Sequence, residues 1–167
     1  YILEDSGAKV LVIHSDIYHD LAKYVPESVH VAEVETPDLL IDTYQLDRSI
    51  SVVHNGSINW NTWIAEQTPW SKDPGVQTAS MIYTSGTTGR PKGVRREAST
   101  PEQYAKQVEV VAGVLGVKPG ARTIIPAPMY HAAPNAYSIF GLQLEAYMIL
   151  MPRFDAEDFL RLVQDNH

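Results

Sequence analysis

Between Tyr83 and Val94 the chain reads Tyr-Thr-Ser-Gly-Thr-Thr-Gly-Arg-Pro-Lys-Gly-Val. Hydroxyls on Thr84, Ser85, Thr87 and Thr88, glycines at 86, 89 and 93 and the cations Arg90 and Lys92 leave almost no apolar bulk, so this run cannot be core. Gly86 and Gly89 permit positive φ and close approach of backbone to a ligand, so that successive N–H groups converge on an anion. The hydroxyls add O–H donors, and Lys92 and Arg90 add charge suited to a polyphosphate. The stretch reads as a phosphate-binding loop, with Thr84, Ser85, Gly86, Thr87, Thr88, Gly89 and Lys92 as its contacts. A Walker A loop needs Gly-Lys-Ser/Thr at its end; here Pro91 precedes Lys92 and Gly93 follows it, so the hydroxyl that would reach Mg²⁺ is missing. The bland alternative is a solvated Gly/Thr surface loop. Donor density, and the strand-like run that feeds the loop, favour phosphate.

His131 closes Pro128-Met-Tyr-His131, directly after the strand-like Arg122-Thr-Ile-Ile-Pro-Ala127. In open α/β sheets ligands collect at the carboxyl ends of strands. There the imidazole can line an apolar pocket or orient a substrate carboxylate, against the alternative of a plain core histidine. His14, His19, His30, His54 and His167 form no ligand-spaced pair in sequence and read as structural or solvated. Glu4, Asp5, Glu33 and Glu35 form no acid–base pair and receive no role. Arg95 and Arg96 read as solvated edge charges.

The elements that must position these groups follow from local patterning. Tyr1 to Ser6 reads as a helix end stopped by Gly7. Lys9 to His14 reads as a strand buried on both faces of a parallel sheet, Asp16 as the cap of a helix to about Val25, and Val29 to Val34 as a second strand. Residues 35 to 55 offer at most one short strand near Ile50 to Val53. Ser57 is expected to cap a helix from Ile58 to Gln67 whose Trp60, Trp63 and Ile64 face a core. Asn55-Gly-Ser57 is a turn, and Thr68 to Gln77 a linker.

Beyond the loop, Thr100-Pro-Glu-Gln103 carries a capping residue, a proline at the first helical position and a capping-box glutamine. That predicts a helix to about Leu115, ended by Gly116. A helix from His131 to about Leu144 holds Ala132, Ala133, Tyr137 and Phe140, either as ordinary core or as one wall of an apolar tunnel. Tyr147 to Met151 is a buried strand. Asp155 caps a helix from Ala156 to Gln164 with Phe159, Leu160 and Val163 inward. Alternating strands and helices without repeats imply an α/β class, a layered α/β/α sandwich with a mainly parallel sheet, and residues 1–167 as a single α/β domain.

Composition narrows the function classes. A net charge of −7 argues against a general nucleic-acid or anionic-membrane surface, so any phosphate site is local. Absence of cysteine removes disulfides, thiolate zinc sites and cysteine nucleophiles together. No apolar run approaches the ~20 residues of a membrane span and no secretory signal opens the chain, so a cytoplasmic location is expected.

The loop from Tyr83 to Val94 resembles the signature loop of the adenylate-forming (AMP-binding) superfamily of acyl-CoA synthetases, aryl-acid and coumarate CoA ligases, peptide-synthetase adenylation domains and luciferases. Pro128 to His131 resembles the short segment that follows it in that family, and weaker similarity runs from Tyr1 to Asp155. The resemblance implies ATP-dependent activation of a carboxylic acid, fatty or related, to an acyl-adenylate, then thioester formation with coenzyme A. Lys92 and His131 are implied as catalytic residues. Arg95 and Arg96 depart from the commoner His-Arg-Asn-like turn. Mg²⁺ is implied with ligands mostly outside these residues, because the downstream Tyr-Gly-x-Thr-Glu-like segment, the ribose-binding Asp, the hinge and the C-terminal domain with its lysine are not in the sequence. The chain is therefore expected to be a fragment of the large N-terminal domain, inactive alone, with a homodimer as one candidate assembly. The alternatives are an adenylation domain loading an amino or aryl acid onto a carrier protein, and a non-catalytic nucleotide-binding module.

Overall fold

The computed structural model describes residues 1–72, 80–84, 89–95 and 97–166. They fall into two compact units, one holding the elements up to Val94 and the other those from Pro101 onward.

The first unit opens with helix α1 (Ile2–Ser6), stopped by Gly7 in the left-handed conformation as its sequence implied. Strand β1 (Val10–His14), helix α2 (Ser15–Leu21) and strand β2 (His30–Val34) form a β-α-β unit, with β1 and β2 parallel in register from Val10 opposite His30 to His14 opposite Val34. A single 3-10 turn, Ala22–Tyr24, follows α2. Asp16 does not cap α2. Its carboxylate instead accepts from the Thr36 hydroxyl at 2.6 Å while its N–H donates to the same oxygen at 3.3 Å, which ties the start of α2 to the loop after β2. Val10 and Val12 remain about half exposed, 56% and 49%, so β1 is covered on one face and not on both.

The segment from residue 35 to 55 holds a helix that composition alone did not disclose. Helix α3 (Asp38–Tyr44) buries Ile41 and ends at Gln45, which takes a left-handed φ of 53°. The Arg48 guanidinium, in the 3-10 turn Arg48–Ile50, spans its acidic face, pairing with Asp38 and, at 2.9 Å, with Asp42. The expected strand at Ile50 to Val53 is absent among the described residues; strand β3 (Ile58–Asn59) instead pairs parallel with β2, completing the order β1-β2-β3. Because residues 58 and 59 are strand, helix α4 (Trp60–Ala65) starts later than expected, and its cap is Asn59, accepting from the Thr62 N–H at 3.1 Å, rather than Ser57. Trp60 and Trp63 stack on each other at 5.4 Å, with Trp63 and Ile64 still exposed rather than in a core. Strands β4 (Ile82–Thr84) and β5 (Lys92–Val94) form an antiparallel pair, the one departure from parallel pairing among the described strands.

The second unit is built from helix α5 (Pro101–Leu115), strand β6 (Arg122–Ile125), helix α6 (Ala132–Gln143), strand β7 (Tyr147–Leu150) and helix α7 (Ala156–Asp165). α5 has the full capping box predicted from sequence: Gln103 N–H donates to the Thr100 hydroxyl at 3.2 Å, and Thr100 N–H donates to the Gln103 side chain at 3.0 Å. Gly116, at φ 67°, ends it where a side chain would strain the backbone. β6 and β7 run parallel from Arg122 opposite Tyr147 to Ile125 opposite Leu150. Ile125, Val117 and Met151 are the buried apolar residues here, while Tyr147 and Leu150, the two ends of β7, are half exposed, so the strand is not buried as its sequence implied. Asp155 caps α7 as expected, accepting from the N–H groups of Glu157 and Asp158. The inward stripe of α7 runs through Phe159 and Leu162, because Leu160 is 66% exposed. Mixed α/β structure with parallel pairing is thus the class found.

Candidate functional site

The glycine and hydroxyl run joins β4 to β5. Thr84, the last residue of β4, and Lys92, the first of β5, stand opposite one another in register, so the two described ends of the run meet at the mouth of a hairpin. Both side chains are exposed. Ser85, Gly86, Thr87 and Thr88 lie outside the described residues. Gly89 takes φ +90°, a positive φ that glycine adopts without strain. The Arg90 guanidinium lies over the Tyr1 ring at 5.7 Å, which draws it into packing against α1. Lys92 is left as the described cation at the hairpin mouth.

What holds the hairpin is contact with α1 and its N-cap residue, far away in sequence. Tyr83, opposite Gly93, donates its phenol O–H to Asp5 of α1 at 2.5 Å, and Tyr1 donates to the Pro91 carbonyl at 3.3 Å. The Asp5 carboxylate accepting the Tyr83 proton pushes the phenol pKa up to about 12, with partial desolvation adding to it. A Cβ on Gly93 would come within 2.9 Å of the Tyr83 ring and would also meet Met81, so glycine there is what lets the ring lie across the partner strand. Asp5 was assigned no role in the sequence. Its partner is 78 residues away, and nothing in either local pattern signals the contact.

In the second unit, His131 precedes α6 as its N-cap residue, with extended backbone and no side-chain capping bond. The ring is exposed and lies 4.5 Å from that of Tyr130. Residues on both sides of Pro128 to His131 line an open apolar pocket of about 560 Å³: Pro126 and Ala127 before it, Ala133 and Pro134 after it, with Tyr137 and Phe140 further along α6. Val111 and Leu115 of α5 close the opposite side. Its polar side chains are those of Thr123 and Tyr137, whose hydroxyls are hydrogen-bonded to each other at 3.0 Å. Of the two readings of this helix, core or pocket wall, the structure places Ala133, Tyr137 and Phe140 on a wall.

The model of the AMP-binding enzyme family matches residues 1–167. The chain belongs to this family. Among curated relatives, a long-chain-fatty-acid–CoA ligase of Mycobacterium tuberculosis is 29% identical over 163 residues, covering 98% of this chain and 29% of the relative. Tyrocidine synthase 2 of Brevibacillus parabrevis is 32% identical over 170 residues, 99% of this chain and 4% of that one. A 2-succinylbenzoate–CoA ligase of Bacillus licheniformis is 34% identical over 87 residues, 52% of this chain and 18% of the relative. Among solved structures, ATP-bound MatB from Rhodopseudomonas palustris superposes with a TM-score of 0.65 at 21% identity, covering 98% of this chain and 29% of that one. The O-succinylbenzoate–CoA synthetase of Bacillus subtilis in complex with AMP gives 0.54 at 19% identity, 95% of this chain and 37% of that one. At these identities the structural likeness establishes a shared fold. The chain spans under a third of the length of the first of these relatives.

Proposed function

We propose that residues 1–167 form part of the N-terminal domain of an ATP-dependent acyl-CoA synthetase. The observation that carries this is the hairpin mouth, where Thr84 and Lys92 face each other at the ends of a run of phosphate donors, in a chain that matches the AMP-binding family throughout. In the reaction a substrate carboxylate oxygen attacks the α-phosphorus of ATP, forming the acyl–O–P bond as the bond to pyrophosphate breaks. The coenzyme A thiol, giving up its proton to solvent, then attacks the acyl carbonyl through sulfur, and AMP leaves with the electron pair of the broken C–O bond. The role of residues 84 to 89 is to hold the β- and γ-phosphates in line, and Lys92 adds positive charge to the leaving pyrophosphate; such a step rests on positioning and charge stabilisation. His131, at the N-terminus of the twelve-residue α6, orients the carboxylate beside the positive end of that helix's dipole. Mg²⁺ accompanies ATP in such chemistry, but no group of three or more carboxylates or imidazoles gathers among the described residues, so no ligand is assigned to it.

The apolar pocket beside Pro128 to His131 favours an acid with a hydrocarbon acyl group over one with a charged tail, since its lining is mostly apolar and carries no charged side chain. Measuring pyrophosphate release by the full-length enzyme against aliphatic, aromatic and amino acids tests the proposal. Release with aliphatic acids and CoA is expected; no release with any carboxylic acid would overturn it. The match to tyrocidine synthase 2 favours a second reading, in which the acyl group passes to a carrier-protein thiol. Thioester formed on holo carrier protein and not on CoA would select it. Neither reading places the protein in a membrane, and among the described residues no helix is long and apolar enough to cross one.

A further inference from the structure

His19 of α2 and His54, in the loop ahead of β3, are 35 residues apart and were read from sequence as unrelated. The fold brings His19 Nδ1 and His54 Nε2 to 3.4 Å. The other nitrogen of His54, Nδ1, lies 2.8 Å from Glu33 Oε2, a carboxylate with 0% of its surface exposed. Nδ1–H therefore donates to Glu33, so the Nε2 lone pair faces His19 and, with no metal bound, accepts from the His19 Nδ1–H. Tyr18, the neighbour of His19 on α2, packs edge-on against the His54 ring at 5.4 Å and fixes its plane. A histidine whose second ring nitrogen donates to a buried carboxylate is the arrangement typical of metal-ligating imidazoles.

The spacing agrees with that chemistry. Two bonds of about 2.0–2.1 Å to one tetrahedral ion place their nitrogens about 3.3–3.4 Å apart. The ring centroids stand 5.7 Å apart, and a shared ion draws them to about 5.2 Å, a tilt that exposed His19 can make without moving the backbone. We propose that His19 and His54 form a two-imidazole site for a late first-row divalent cation, Zn²⁺, Ni²⁺ or Cu²⁺, with Glu33 as the positioning residue for His54 and water completing the coordination. No third carboxylate or imidazole joins them among the described residues, so the site is a surface clamp whose preference follows the general order with Cu²⁺ strongest. Mg²⁺, which takes oxygen ligands, is excluded. None of the residues assigned to acyl activation takes part.

The test is calorimetric titration of the untagged chain with Cu²⁺, Zn²⁺ and Mg²⁺. We expect one tight equivalent of Cu²⁺, weaker Zn²⁺ and no heat from Mg²⁺. His19→Gln, at an exposed position, and His54→Gln are each expected to weaken Cu²⁺ at least about tenfold, and Glu33→Gln about 10- to 100-fold at unchanged stoichiometry. The copper paramagnetic resonance spectrum should show two coordinated nitrogens in the wild type and fewer in His19→Gln. His14, His30 and His131 remain in every variant. Wild-type affinity retained in His19→Gln with its helical dichroism intact, or no Cu²⁺ uptake by the wild type at millimolar metal, overturns the proposal.

Discussion

Lys92 is the described cation left facing solvent at the hairpin mouth, since Arg90 is engaged by Tyr1. If it stabilises the leaving pyrophosphate, Lys92→Ala in the full-length enzyme slows acyl-adenylate formation roughly a hundredfold, the usual cost of about 3 kcal/mol for losing one such donor. ATP–pyrophosphate exchange reads that step directly, and an unchanged rate contradicts the role. The single atom added in Gly93→Ala acts on the same hairpin by another route. A methyl within 2.9 Å of the Tyr83 ring has to displace a stiff aromatic, and with it the bond to Asp5. We expect this variant to be destabilised by about 1–3 kcal/mol, the usual cost of overpacking. Tyr83→Phe should lose less, because it keeps the ring in place. Urea midpoints of the two variants give the comparison, and equal losses would show that the ring position is not what Gly93 protects.

At the level of elements, capping chemistry was legible because it is local. Thr100 with Gln103, Asp155 with its two N–H partners and Gly116 at the end of α5 are all decided within a few residues, and all three appear in the structure. Thr100→Ala should therefore cost about 1 kcal/mol, read as a lower urea midpoint, with Thr100→Ser nearly neutral. Elements whose identity depends on distant partners were not legible. Lys92 to Val94 has weak strand propensity with a glycine at its centre, and it is a strand because Ile82 to Thr84 lies across from it. Two-residue β3 exists only as an addition to β2, and by forming it moved the α4 cap from Ser57 to Asn59. Helix α3 was hidden because Pro37 and two acidic residues masked a short amphipathic run; Arg48, which neutralises those acids, comes later in the chain. The site divides in the same way. The loop and the segment ending in His131 were proposed from residue types, whereas the Asp5 to Tyr83 and His19 to His54 contacts join residues with no pattern between them. The error at β1, read as covered on both faces, came from treating an apolar run as proof of burial.

For the molecule as a whole, the formal charge of −7 and isoelectric point near 5.3 mean that self-repulsion falls as the solution is acidified from neutrality. Two specific groups bound that gain. Burial of Glu33 favours its neutral form, but hydrogen bonds with Ser57, His54 and Ser15 and the charge of His54 outweigh it and hold the carboxyl below the ordinary value of 4.5. A depressed carboxyl binds its proton more weakly folded than unfolded. Its contribution is therefore complete above about pH 4.5 and disappears as pH falls through the lower folded value. Tyr83 works from the other end: its phenol, raised from 10.0 to about 12, favours the folded state fully below about pH 10 and stops doing so as pH rises towards 12. Stability against urea should accordingly be broad from about pH 5 to 10, with a fall on each flank. Each flank has its own variant. Glu33→Gln should lower the plateau and flatten the acid fall, and Tyr83→Phe should flatten the alkaline fall while leaving the acid one untouched. Midpoints measured at one-unit steps from pH 3 to 12 separate these from the change in net charge, which 0.5 M salt screens strongly at the surface and much less at buried Glu33. An acid flank that vanishes in salt but survives Glu33→Gln would assign the acid lability to the net charge and not to the buried carboxylate.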